Sequence, residues 1–124
     1  MSQDQTVSGG IVVHSRTELY TFNVGPDALT YFSVDGTYTG DLDGRADEAV
    51  VAVVHADGTR SSYGFGAFTG KVKGRSGTLT WKFTGNVIEI LEGTGELSGL
   101  KGSVPYAIKP GSTTDFTYSG VVSG

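Results

Sequence analysis

Apolar and polar side chains alternate with a period of two along most of the chain, and turn residues interrupt the alternation about every ten positions. No stretch of helical length places apolar residues at i, i+3, i+4 and i+7. Side chains two apart share one face of a strand, so this pattern predicts an all-β protein. The expected strands are Gly10–Arg16, Glu18–Val24, Leu29–Leu42, Ala46–Ala56 and Arg60–Val72. They continue with Gly77–Gly85, Val87–Leu91, Gly95–Leu100, Val104–Lys109 and Thr114–Val122; some merge, leaving about eight. Asp57-Gly58 is a strong two-residue hairpin signal, because both residues accept a positive φ. Gly25-Pro26-Asp27, Asp35-Gly36, Asp43-Gly44 and Pro110-Gly111 are further expected turns.

Parity assigns faces. In Gly77–Gly85, Leu79, Trp81 and Phe83 share one side, and Thr78, Thr80, Lys82 and Thr84 share the other, as in a half-buried strand. Ala46–Ala56 is apolar on both parities, with Ala49, Val51 and Val53 opposite Val50, Ala52 and Val54. Such a strand is covered on both faces, so a terminal segment or, as the favoured expectation, another subunit of a homodimer or homotrimer supplies the second cover. Ten of the twenty glycines fall from Gly64 to Gly102, among aromatic and leucine side chains that need a core. Glycine in a strand marks a bulge or bend, and repeated bends curl a sheet until its edges meet. The expected fold is a small closed or nearly closed antiparallel β-barrel of about eight strands. It forms a single domain over residues 1–124, with 1–6 and 123–124 frayed.

Composition narrows the function. The absence of cysteine removes thiol catalysis and thiolate metal sites. A net charge of -4, with no basic cluster beyond Lys71, Lys73 and Arg75, argues against nucleic-acid binding. The start lacks the features of a signal peptide, and no apolar run is long enough to span a bilayer as a helix. A cytoplasmic protein without membrane attachment is expected. Two histidines do not suggest a metal site, and G-x-G pairs that open no helix do not suggest a nucleotide; no cofactor is expected.

Thr39–Gly44 (T-G-D-L-D-G), Asp57-Gly58, Phe68–Leu79 (F-T-G-K-V-K-G-R-S-G-T-L) and Gly93–Gly102 (G-T-G-E-L-S-G-L-K-G) together resemble a bacterial family, domain of unknown function 3224. The resemblance covers about Tyr31–Gly102. It implies a barrel similar to allene oxide cyclase, within the calycin-like barrels, and no settled activity. The family's pattern carries an acid–arginine pair where this chain has Gly66 and Ala67, and often a histidine at the position of Phe83. Those departures predict a roomier, more apolar lumen.

Four residues are candidates for chemistry. Glu89, in V-I-E-I-L, would be a desolvated carboxylate with a raised pKa if it faced the lumen. His55 ends the doubly apolar strand at a barrel mouth, and Tyr63 or Tyr31 would donate a hydrogen bond. Phe65, Phe68, Leu79 and Trp81 are expected to line the ligand space, joined by Phe83, Val51 and Val53. Asp41, Asp43, Asp47 and Glu48 read as solvated turn residues. The expected function is enclosure of a small hydrophobic molecule by a cofactor-independent isomerase or cyclase, which needs mainly a shaped, dry pocket. The alternative is a lipocalin-like carrier that returns its ligand unchanged.

Overall fold

A computed structural model describes residues 4–124. Eight antiparallel strands follow one another around a closed ring: β1 (Asp4–Val24), β2 (Asp27–Gly40), β3 (Leu42–Val54), β4 (Arg60–Val72), β5 (Arg75–Thr84), β6 (Val87–Gly93), β7 (Lys101–Ile108) and β8 (Asp115–Ser123). β8 closes the ring on β1, from Asp4↔Ser123 to Val12↔Asp115. Residues 4–6, expected to fray, therefore lie in a paired strand, and the remaining N-terminal positions of that expectation, 1–3, lie outside the described residues. Among the described residues no helix is long and apolar enough to cross a membrane.

Ten expected strands become eight by one merger and one loss. Thr17 does not interrupt the chain, so the first two expected strands form one strand of 21 residues. Asp35-Gly36 is not a turn: it lies inside β2, opposite the bulge that His14 makes between Val13 and Ser15. The chain reverses at Asp41, between β2 and β3, and not at Asp43-Gly44; Gly44 is already paired with both Tyr38 and Gly70. Gly95–Leu100, expected as a strand, is a 3-10 turn over Gly95–Leu97 followed by a reversal. Gly95 and Gly99, at φ +64 and +84, take the left-handed backbone that breaks a ladder and is open to glycine.

That turn seals one end of the ring by burying Leu97 and Leu100. Around them, Val7, Leu42, Val72, Leu79 and Val122 are all but inaccessible. Next along the axis comes an aromatic layer in which Tyr38 contacts Phe68, Trp81 and Tyr118 at centroid separations of 5.8, 5.3 and 6.0 Å. The Tyr118 hydroxyl donates to the Thr39 carbonyl at 2.8 Å and accepts the Leu42 amide at 2.8 Å, fastening β8 to the β2–β3 reversal. Beyond this layer the ring is hollow. The walls there are uneven, because β1–β4 have 13 to 21 residues and β5–β8 only 7 to 10.

Candidate functional site

The hollow half holds a cavity of about 370 Å³, within the range of small-molecule sites. Its walls are built by strand parity. β3 turns Val50, Ala52 and Val54 inward, β5 and β6 contribute Phe83 and Ile88, and β7 and β8 contribute Tyr106 and Phe116. Arg16, Thr30, Arg60, Ser62 and Asn86 add polar groups to the same lining. The two apolar parities of β3 therefore divide between the cavity and the outside of the ring.

Glu48 is the one carboxylate in this lining. It shares the inward parity of Val50 and Ala52, and it reaches two side chains of the aromatic layer. The Tyr38 hydroxyl donates to Oε1 at 3.5 Å, and the Trp81 indole N–H donates to Oε2 at 3.3 Å. Gly66 makes this approach possible. A Cβ there would stand 2.8 Å from Trp81 Cδ1 and 3.1 Å from Glu48 Cγ, so a side chain would force the indole away. Gly66 thus admits a large ring to the interior and does not thin the wall, as the sequence pattern suggests it would.

Burial raises the Glu48 pKa above its ordinary value, and the two donated hydrogen bonds oppose that shift without cancelling it. Tyr106, whose hydroxyl donates to the Gly85 carbonyl at 2.9 Å, is pushed up to about 12 by burial and then by the charge of Glu48. A carboxylate held in a mainly apolar chamber, with its proton affinity raised, is suited to take up or deliver a proton.

The expected site residues divide sharply. Phe83 lines the cavity as expected. Phe68, Leu79 and Trp81 point inward but belong to the packed core, each no more than 1% exposed. Val51, Val53, Tyr31, Tyr63 and Phe65 have the opposite parity and face away from the cavity; Val53 is largely covered there, whereas Tyr63 and Phe65 are 46% and 63% exposed. Glu89 is also outside: its β6 neighbours Ile88 and Ile90 are the buried pair, and its carboxylate meets Lys82 on β5 at 3.5 Å. The proton-transfer role expected of Glu89 therefore falls, because solvent surrounds it.

His55 sits at the mouth but outside the cavity lining. Its Nδ1 lies 3.0 Å from Asp27 Oδ2 and its Nε2 lies 2.9 Å from Ser61 Oγ, so the ring ties the first residues of β2 and β4 to the end of β3. Among the described residues no three His, Asp or Glu side chains converge as a metal ion would need.

Glu48 is the functional residue that sequence reasoning misses, and the reason is positional. A turn placed at Asp43-Gly44 puts Glu48 beside a loop, whereas reversal at Asp41 puts it in mid-strand on the parity of Val50. Tyr106 shares the apolar parity of Val104 and Ile108, and Phe116 that of Tyr118 and Val122, so alternation on β7 and β8 is a signal that could have placed both inward.

The sequence pattern that defines DUF3224, described as a protein of unknown function, matches residues 15–119. The crystal structure of a protein of unknown function from the DUF3224 family of Shewanella oneidensis MR-1 superposes with a TM-score of 0.82 at 23% identity, covering 97% of each chain. At that identity the likeness speaks for the fold alone, and neither match bears on allene oxide cyclase. No curated protein matches the chain.

Proposed function

We propose that this chain, which belongs to the DUF3224 family, encloses one small, mainly apolar molecule in its hollow half and moves a proton on it through Glu48. The observation that carries the reading is a single partly buried carboxylate, with a raised pKa, on the wall of an otherwise largely apolar chamber. The reaction class it suits is isomerisation next to a carbonyl. A C–H bond breaks, its proton passes to a Glu48 oxygen while the electron pair delocalises as an enolate, and the same proton returns at another carbon. Nothing is oxidised or reduced. The walls contribute by holding the substrate in one conformation away from water. A carrier is the second reading, favoured by the two hydrogen bonds that already engage Glu48 from Tyr38 and Trp81.

Uptake of the neutral fluorescent probe N-phenylnaphthylamine tests the binding step. Saturable uptake of one equivalent is expected, and Ala52→Trp, which fills the chamber, should remove it. A folded protein that takes up no probe would defeat the reading. Deuterium transfer from D2O into a panel of enolisable unsaturated ketones tests the chemistry, with loss expected in Glu48→Gln. Probe uptake without any exchange would leave the carrier in place of the isomerase.

A further inference from the structure

Two arginines at the cavity have no acidic partner. The ion pairs among the described residues are Arg45–Asp35, His55–Asp27, Lys73–Asp41 and Lys82–Glu89, and neither Arg16 nor Arg60 takes part. Both nonetheless line the cavity. Arg16 lies over the Phe32 ring with Cζ 5.9 Å from its centroid, a contact that seats the guanidinium against a residue of the cavity wall. Glu18, two residues along β1, is bonded instead to the Thr21 hydroxyl at 2.6 Å. In a chain with a net charge of -4, two uncompensated cations on one chamber form a local exception.

Their placement is also polar along the axis. Arg60 pairs with Val54, six residues beyond Glu48 on β3, or roughly 20 Å of strand at about 3.3 Å per residue. Arg60 and Glu48 therefore lie at different positions along the chamber, with Val50, Ala52 and Phe83 in the wall around them, whereas Arg16, paired with Val34, shares a ladder rung with Glu48. A guanidinium fits a carboxylate through paired N–H donors and recognises it better than a neutral head group.

We infer that the ligand is an elongated amphiphile with a carboxylate at the mouth, held by Arg60, and a hydrocarbon body running inward past Val50 and Ala52 toward Glu48. The inference rests on the binding reading above and names its ligand class. It also locates the reacting carbon at the end remote from the head group, because a carboxylate beside Glu48 would be repelled.

Laurate and dodecanol share a chain and differ in head group, so their competition with N-phenylnaphthylamine tests the inference directly. Laurate is expected to displace the probe at least tenfold more tightly than dodecanol. Raising NaCl from low to high concentration should weaken laurate alone. Arg60→Glu should lower laurate affinity at least tenfold and affect dodecanol far less; the position is exposed, so folding is not at risk. The salt series on the unaltered protein decides the same point without any variant. Equal displacement by both compounds, or a charge reversal that affects neither, overturns the carboxylate while leaving the binding reading intact. Failure of the probe itself to bind overturns both.

Discussion

The two halves of the ring are made of the same strands, yet one is solid and the other hollow. In the sealed half, leucines, valines and the Gly95–Leu100 plug fill the space between the walls. In the open half, Ala52, Ser62 and Gly85 stand where large side chains would be needed to fill it, and the shorter β5–β8 leave one side low. Smaller side chains on a wider, uneven rim leave a chamber that neighbouring residues do not collapse to fill. Stability is thus concentrated below the Tyr38–Phe68–Trp81 layer, and ligand space lies above it. The carboxylate that matters sits on the boundary, where the packed half can supply it with donors and the hollow half can bring it a substrate.

Paired truncations would break this contrast most directly. Phe68→Ala opens a void in the fully packed half and is expected to cost about 3–5 kcal/mol in denaturant unfolding. Phe116→Ala, on a wall that already borders empty space, should cost under about 2 kcal/mol and enlarge the chamber. Equal losses would mean that the two halves are not different in kind.

Gly66→Ala sharpens the boundary. The new methyl overlaps the Trp81 ring, which is itself completely buried and has little room to move, so a loss of about 1–3 kcal/mol is expected. Trp81 is the only tryptophan, so its emission should shift as the indole leaves Glu48.

A pH series tests the state of Glu48. Its folded pKa lies above the ordinary 4.5, so the folded protein prefers the protonated acid. The stability this contributes is complete below the unfolded pKa and is lost as pH rises through the folded pKa. Glu48→Gln, which stays neutral, should match the parent in acid and become the more stable of the two toward neutral pH, as measured by urea midpoints. A difference that does not vary with pH would place Glu48 in water. In the parent alone, Trp81 fluorescence should report the titration.

The smallest effect expected is at Glu89. Its contact with Lys82 is an exposed pair between half-accessible side chains, so Glu89→Ala should change stability by less than about 0.5 kcal/mol and leave probe uptake unaltered.

Local pattern and long-range closure contributed differently to these features. Strand character, the Asp57-Gly58 hairpin, and the shared face of Leu79, Trp81 and Phe83 all follow from alternation and turn chemistry. These are determined within a few residues by backbone sterics, and the structure retains them, except that the reversal spans His55–Thr59 and only Gly58, not Asp57, takes a positive φ. Alternation alone says which side chains travel together and not which set turns inward. Val51 and Val53 lie outside the cavity while Val50 and Ala52 line it, although both sets are equally apolar in the sequence. Glu89 follows the same logic in reverse, because Ile88 and Ile90 claim the interior once β6 joins the ring.

Family membership and an all-β ring were legible from about Tyr31–Gly102, inside the residues 15–119 that the family pattern matches, because glycine spacing and strand period are local properties. The chamber, its unpaired arginines and the placing of Glu48 beside Trp81 were not. Each depends on side chains separated by tens of residues, such as the 33 between Glu48 and Trp81, and only the register of closed strands brings them within bonding distance.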